Sequence, residues 1–194
     1  MLYREDNNFL EGFYFDKRTF AFYESAGLYN KSSVHRLTPD AITNTLTVDT
    51  DSLSFLPSKY FGEGLAPRSA TEFALLTYRE KTVLTVDRDT MSILSKSFVI
   101  PSQLKEGWGM TADESKVNSN GFYTMYASDG SYHIFVIDGE TMKVTNTLNV
   151  RDTVSNTYVS RINELEYANG FIYANVWYKD ILLKIDPTSG SIVK

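Results

Sequence analysis

Short apolar runs, not helical stripes, organise this chain. Phe20-Ala21-Phe22-Tyr23-Glu24 is followed by Ser33-Val34-His35-Arg36-Leu37, and Phe73-Ala74-Leu75-Leu76-Thr77-Tyr78 by Thr82-Val83-Leu84-Thr85-Val86. The pattern returns as Phe122-Tyr123-Thr124-Met125-Tyr126 with His133-Ile134-Phe135-Val136-Ile137. It returns again as Phe171-Ile172-Tyr173-Ala174-Asn175-Val176-Trp177 with Ile181-Leu182-Leu183-Lys184-Ile185. Runs of this length, rich in aromatic and β-branched residues, predict strands buried on one or both faces. Further strands are predicted at Ile42–Val48 and Ile93–Phe98. The third run of three groups ends in an aspartate that opens a turn: Asp87-Arg88-Asp89-Thr90, Asp138-Gly139-Glu140-Thr141 and Asp186-Pro187-Thr188-Ser189-Gly190. Aspartate carboxyls bond backbone amides a residue or two later, so these are hairpin turns into an outer strand. Helical periodicity is nearly absent; Pro101–Lys105 predicts at most one short turn.

Each group is preceded by an acidic residue among small and apolar neighbours: Phe9-Leu10-Glu11-Gly12, Phe61-Gly62-Glu63-Gly64, Glu106-Gly107-Trp108-Gly109 and Asn163-Glu164-Leu165-Glu166. A recurrence of roughly 50 residues in strand-rich sequence is the mark of propeller blades. The chain therefore reads as all-β, a single β-propeller domain over residues 1–194 with repeat units at about 9–48, 61–98, 106–150 and 163–194. The innermost strands of a propeller converge on one channel, which would bring Glu11, Glu63, Trp108 and Asn163 together. Four units either close a ring or leave room for a last blade. Residues before Glu11 could supply a closing strand, and a protein partner could cover edge strands left exposed.

Composition narrows the chemistry. The 194 residues carry a net charge of −5 with no basic run, which speaks against a nucleic-acid partner. The chain has no cysteine, which excludes thiol nucleophiles and cysteine zinc sites. Its two histidines, His35 and His133, lack ligand spacing and read as polar strand residues, so no metal site is expected. No apolar run has the length of a membrane span. The stretch Met1–Asp6 lacks the apolar core of a secretory leader, so the compartment stays open. Asn30-Lys31-Ser32 is a possible glycosylation sequon.

The unit openings resemble those of the plant and bacterial glutaminyl-peptide cyclotransferases. The resemblance rests on Phe61-Gly62-Glu63-Gly64-Leu65, Glu106-Gly107-Trp108-Gly109-Met110, Asn163-Glu164-Leu165-Glu166-Tyr167 and Ala174-Asn175-Val176-Trp177. Tyr23-Glu24-Ser25-Ala26-Gly27-Leu28-Tyr29 followed by Lys31-Ser32-Ser33 adds to it, and the order runs from about Phe9 to Lys194. It implies a five-bladed propeller, of which about four blades are present here, with the last missing or supplied otherwise. It implies conversion of N-terminal glutamine in peptides or proteins to pyroglutamate with release of ammonia, without a cofactor or catalytic metal, and favours an extracytoplasmic location. By this resemblance Glu63 is the essential acid, Phe9, Trp108 and Trp177 form an aromatic pocket, and Asn163 is the site's amide. Tyr78 stands where the family has tryptophan, and Glu11 where it has glutamine.

The chemistry asks that an amine lose a proton, an oxyanion be held and a leaving nitrogen be protonated. One carboxyl of raised pKa can relay the proton, and walls of tryptophan would raise Glu63 by desolvation. The amide of Asn163 could hold the carboxamide or its oxyanion. Without the resemblance, Glu63 reads first as a channel carboxylate that ties neighbouring strands through backbone N–H groups. Glu11 adds charge, and proximity to Glu63 would let the two share one proton. The alternative function is a catalytically impaired, cyclase-like propeller serving as an interaction or structural subunit.

Overall fold

A computed structural model describes residues 9–193. Among these residues the chain forms strands and turns and no helix. The paired apolar runs become the middle strands of successive antiparallel sheets, because residues on both their faces are buried between neighbouring blades. The first sheet orders β1 (Leu10–Asp16), β2 (Ala21–Ala26), β3 (Ser33–Asp40) and β4 (Thr45–Phe55). The second orders β5 (Gly62–Pro67), β6 (Glu72–Thr77), β7 (Thr82–Asp87) and β8 (Ile93–Val99). The third orders β9 (Met110–Val117), β10 (Tyr123–Ser128), β11 (His133–Asp138) and β12 (Val144–Asn149). After a small hairpin of β13 (Arg151–Asp152) and β14 (Thr157–Tyr158), the fourth sheet orders β15 (Ile162–Ala168), β16 (Phe171–Val176) and β17 (Leu182–Ile185). An antiparallel bridge from Ile185 to Ile192 begins an outer edge there. This is a four-blade propeller arrangement.

One local expectation is corrected, and one unexpected element appears. The outer strand of the first sheet begins at Thr45 rather than Ile42 and runs on to Phe55; Ile42 lies 93% exposed in the preceding turn, where Asp40 accepts from its amide. The hairpin β13–β14 has no precedent in the apolar pattern, since Arg151-Asp152 and Thr157-Tyr158 bury little. The aspartate turns occur as expected: Asp87, Asp138 and Asp186 each accept from amides two or three residues on. Pro101–Lys105 forms a turn closed by the Leu104 amide on the Pro101 carbonyl at 3.0 Å. Residues 1–8, which include the leader reading at Met1–Asp6 and part of the suggested closing strand, lie outside the described residues.

Three apolar clusters fill the three interfaces between successive sheets. Tyr14, Tyr23, Leu65, Phe73 and Leu75 join the first to the second. Leu76, Val83, Met110, Met125 and Phe135 join the second to the third. Tyr126, Ile134, Ile162, Leu165 and Ile172 join the third to the fourth. Two buried arginines add polar ties. Arg68 donates to the carbonyls of Gly139 and Glu140 on the third blade at 2.8 and 2.9 Å, while Arg88 pairs with Asp16 on the first at 2.9 Å. Both histidines lie in strands: His35 is buried 3.4 Å from Glu24, and His133 packs on the Tyr132 ring.

Around the axis the inner strands β1, β5, β9 and β15 follow one another. They approach closely because glycine stands at the contact. A Cβ on Gly64 would lie 2.3 Å from the Met110 nitrogen, and one on Gly109 would lie 2.2 Å from the Asn163 carbonyl. The corresponding position of the fourth inner strand is Glu164. Its buried carboxyl lines a groove of about 540 Å³ between the fourth and first sheets, shared with Phe13, Phe15 and Tyr173.

Candidate active site

Three of the four inner strands, β1, β5 and β15, are disturbed where they enter the channel. Register shifts fall between Leu10 and Gly12, between Gly62 and Leu65, and between Ile162 and Leu165. Such bulges re-aim a side chain out of the sheet alternation. The residues within them are Glu11, Glu63 and Asn163; Trp108 precedes β9 at the matching place. The repeated bulge is thus the local cause of convergence.

The residues meet in one cavity of about 220 Å³, lined by Phe9, Glu11, Phe61, Glu63, Tyr78, Trp108, Asn163 and Trp177. Every site residue expected from sequence is in this lining. Phe61 was missed: it read only as a blade opening, although its place beside Glu63 in the second unit was a usable signal. Its ring lies 5.9 Å from Tyr78 and 5.3 Å from Tyr29. Trp108 and Trp177 meet edge to face at 5.2 Å and 87°. Trp108 Nε1 donates to Glu106 at 3.1 Å, and Glu106 is held in turn by Arg79 at 2.8 Å. Arg79 also stacks 4.6 Å from the Tyr78 ring, so the polar rim and the aromatic wall position one another.

Glycine at position 130 seats the Trp108 ring. With φ of +76°, it lies so close that a Cβ would stand 2.6 Å from Cζ2 of Trp108. Serines from the preceding blades fix the bulges: Ser25 donates to the Glu63 carbonyl, and Ser128 to the Asn163 carbonyl at 2.7 Å.

Electrostatics set the site apart. Glu63, 8% exposed, is pushed up to about 9 by burial first and then by the charges of Glu11, Glu106 and Glu80. Burial pushes Glu11 up to about 7. In the neighbouring groove burial also holds the Glu164 carboxyl well above the usual range. Two coupled carboxyls in an aromatic pocket, one of them neutral at pH 7, can donate and accept protons within one site. No cluster of three or more potential metal ligands of the His, Cys, Asp and Glu types occurs among the described residues.

Fold and site together define a β-propeller with an acid-bearing, aromatic-walled pocket at its axis. The profile of the glutamine cyclotransferase family matches residues 3–194, and the chain belongs to that family. It is 33% identical over 171 residues to the glutaminyl-peptide cyclotransferase of Arabidopsis thaliana, an alignment covering 88% of this chain and 47% of that protein. The chain thus spans about half the length of this curated relative. The crystal structure of Myxococcus xanthus glutaminyl cyclase superposes with a TM-score of 0.76 at 25% identity, over 96% of this chain and 69% of that one. The WD40 repeats of RRP9 share the fold alone, with a TM-score of 0.53 at 11% identity over 94% of this chain and 52% of theirs.

Proposed function

We propose that this chain is a glutaminyl-peptide cyclotransferase, converting N-terminal glutamine of peptides or proteins to pyroglutamate with release of ammonia. The names of its relatives support the reaction. The observation that carries the assignment of roles is the buried Glu63 carboxyl facing Asn163 and two tryptophans in one cavity.

In this reading the glutamine side chain enters the aromatic pocket and brings its carboxamide carbon within reach of its own α-amine. Holding both ends in place makes ring closure an oriented intramolecular step. The amine nitrogen bonds to the carboxamide carbon, the bond to the amide nitrogen breaks, and ammonia leaves. The proton lost by the amine is the one gained by the leaving nitrogen. Glu63, protonated at neutral pH, relays it: one carboxyl oxygen gives its proton to the leaving group while the other accepts from the amine. Asn163 donates from its side-chain amide to the developing oxyanion. Glu11, partly ionised near pH 7, pairs with the substrate's α-ammonium and takes up its first proton, freeing the amine to attack; that proton later leaves with the ammonia as ammonium. Proton relay and oxyanion support come from side chains, so the proposed route uses no metal.

The test is ammonia release from a Gln-initiated peptide by folded protein, with Glu63→Gln as the control. Release lost in the variant supports the assignment; equal release by both removes Glu63 from the mechanism. One feature favours the impaired-propeller alternative: the groove along Phe13, Phe15 and Leu182, which offers an apolar face to a protein partner. Absence of release from a verified folded sample would support that alternative.

A further inference from the structure

The wall of the cavity continues into a turn that carries two aromatic rings. Beyond β16, Val176-Trp177-Tyr178-Lys179 closes on itself, with the Lys179 amide donating to the Val176 carbonyl at 2.9 Å. Tyr178 takes the third position of this turn with a φ of +62°. A positive φ at that position is usually supplied by glycine, since the Cβ of any other residue crowds the backbone. Tyrosine is therefore held there against a steric penalty, and no core packing offsets it, because the residue is 78% exposed. What the ring does contact is Trp177, stacked on it at 4.3 Å and 29°. Trp177 in turn meets Trp108 inside the cavity. Three rings thus run without a break from the pocket to the protein surface. Nine other non-glycine residues also have a positive φ among the described residues, so it is the run of rings to the surface, not the backbone, that singles out this turn.

The size of the cavity indicates what such a surface is for. About 220 Å³ holds a glutamine side chain and its amine but little more, so the rest of a peptide must leave through the mouth. The next residue begins within about 3.8 Å of the first, Cα to Cα, at the level of the exposed rim. Trp177 and Tyr178 stand on that rim. Charges of both signs flank them: Lys179 and Asp180 follow in sequence, and Arg79 pairs with Glu106, which accepts from Trp108. The rim accordingly selects by ring surface rather than by charge.

We infer that Trp177 and Tyr178 form a subsite for the second residue of the substrate, and that this subsite takes an aromatic side chain by offset or edge-on stacking. The inference rests on the cyclotransferase reading and gives it a substrate preference.

Binding of the unreactive products separates the subsite from catalysis. The probes are pyroglutamyl-phenylalanine and pyroglutamyl-glycine peptides, measured by calorimetry on wild type, Tyr178→Gly and Tyr178→Phe. Glycine relieves the positive φ, so the first variant keeps its fold. Wild type and Tyr178→Phe are expected to bind the phenylalanine peptide several-fold, up to about tenfold, more tightly. Tyr178→Gly is expected to lose that advantage while its affinity for the glycine peptide stays the same. A preference that survives in Tyr178→Gly overturns the subsite, as does wild type that binds both peptides equally or neither. Ammonia release from the matching Gln-Phe and Gln-Gly peptides is read separately. A binding preference without release supports the subsite and contradicts the cyclotransferase reading, whereas release at equal kcat/KM for both peptides does the reverse.

Discussion

The Ser25 hydroxyl donates to the backbone carbonyl of Glu63 at 2.5 Å, from the second strand of one blade to the bulge of the next. Ser128 repeats the arrangement on Asn163 and also accepts from the Gly109 amide at 2.9 Å. Two of the three polar residues assigned to the chemistry, Glu63 and Asn163, are each clasped at the backbone by a buried serine of the preceding blade. Ser25→Ala leaves the Glu63 carbonyl without this donor and is expected to cost about 1–3 kcal/mol of stability. Because the clasp sets where Glu63 points, kcat for ammonia release should fall while KM changes little. Denaturant unfolding and steady-state kinetics on the same sample measure both; a loss of stability with unchanged kcat would make Ser25 structural only.

Stability should depend on pH through the same carboxyls. The folded values of about 9 for Glu63 and about 7 for Glu11 lie above their ordinary value of 4.5. A raised carboxyl pKa means that the folded state holds its proton more tightly than the unfolded chain. The resulting stability is fully present below about pH 4.5 and is lost as pH rises through about 7 for Glu11 and about 9 for Glu63. Tm should therefore fall across that window. Glu11→Gln should flatten the fall only below about pH 7, whereas Glu63→Gln should flatten it across the whole window and most clearly between about 7 and 9, as scanning calorimetry across pH would register.

The propeller was legible because apolar runs of strand length recur with the blades, and burial on both faces leaves them dense in Phe, Leu, Ile and Val. The candidate site was legible for a narrower reason: Glu11, Glu63, Trp108 and Asn163 occupy the same place in each unit. What aims them at the channel was not. A bulge has no composition of its own, and Ser25 and Ser128 look like ordinary strand serines until the next blade is packed against them. The start of β4 at Thr45 was hidden for a different reason. Ile42 continues the apolar alternation, but Asp40 captures the amides of Ile42 and Thr43 in a turn. Glu164 could be read as part of a motif, yet only the packed inner strands show that it replaces a contact glycine.

Glu11 should tune the acid it faces. Its charge is the second cause, after burial, of the raised value of Glu63. Glu11→Gln removes that charge, so the Glu63 pKa should fall, and the alkaline limb of the pH–rate profile should move to lower pH. If substrate binding through the α-ammonium depends on the Glu11 carboxylate, KM should rise in the same variant. Profiles of kcat and kcat/KM against pH separate the two effects, and an unmoved alkaline limb would uncouple the pair.

Gly130 provides the sharpest test of the aromatic wall. Gly130→Ala meets two penalties, a positive φ of +76° and a Cβ within 2.6–2.8 Å of three Trp108 ring atoms. Gly121→Ala meets only the first, since its φ is +87° and nothing lies within 4 Å. The backbone term should cost each variant about 1–2 kcal/mol. Only Gly130→Ala should also displace Trp108, shift the tryptophan emission and admit water beside Glu63. Water there would lower the Glu63 pKa by relieving its desolvation, so kcat/KM should drop and the alkaline limb should move down. Matched kinetics in the two variants would mean that the position of the Trp108 ring does not govern the acid.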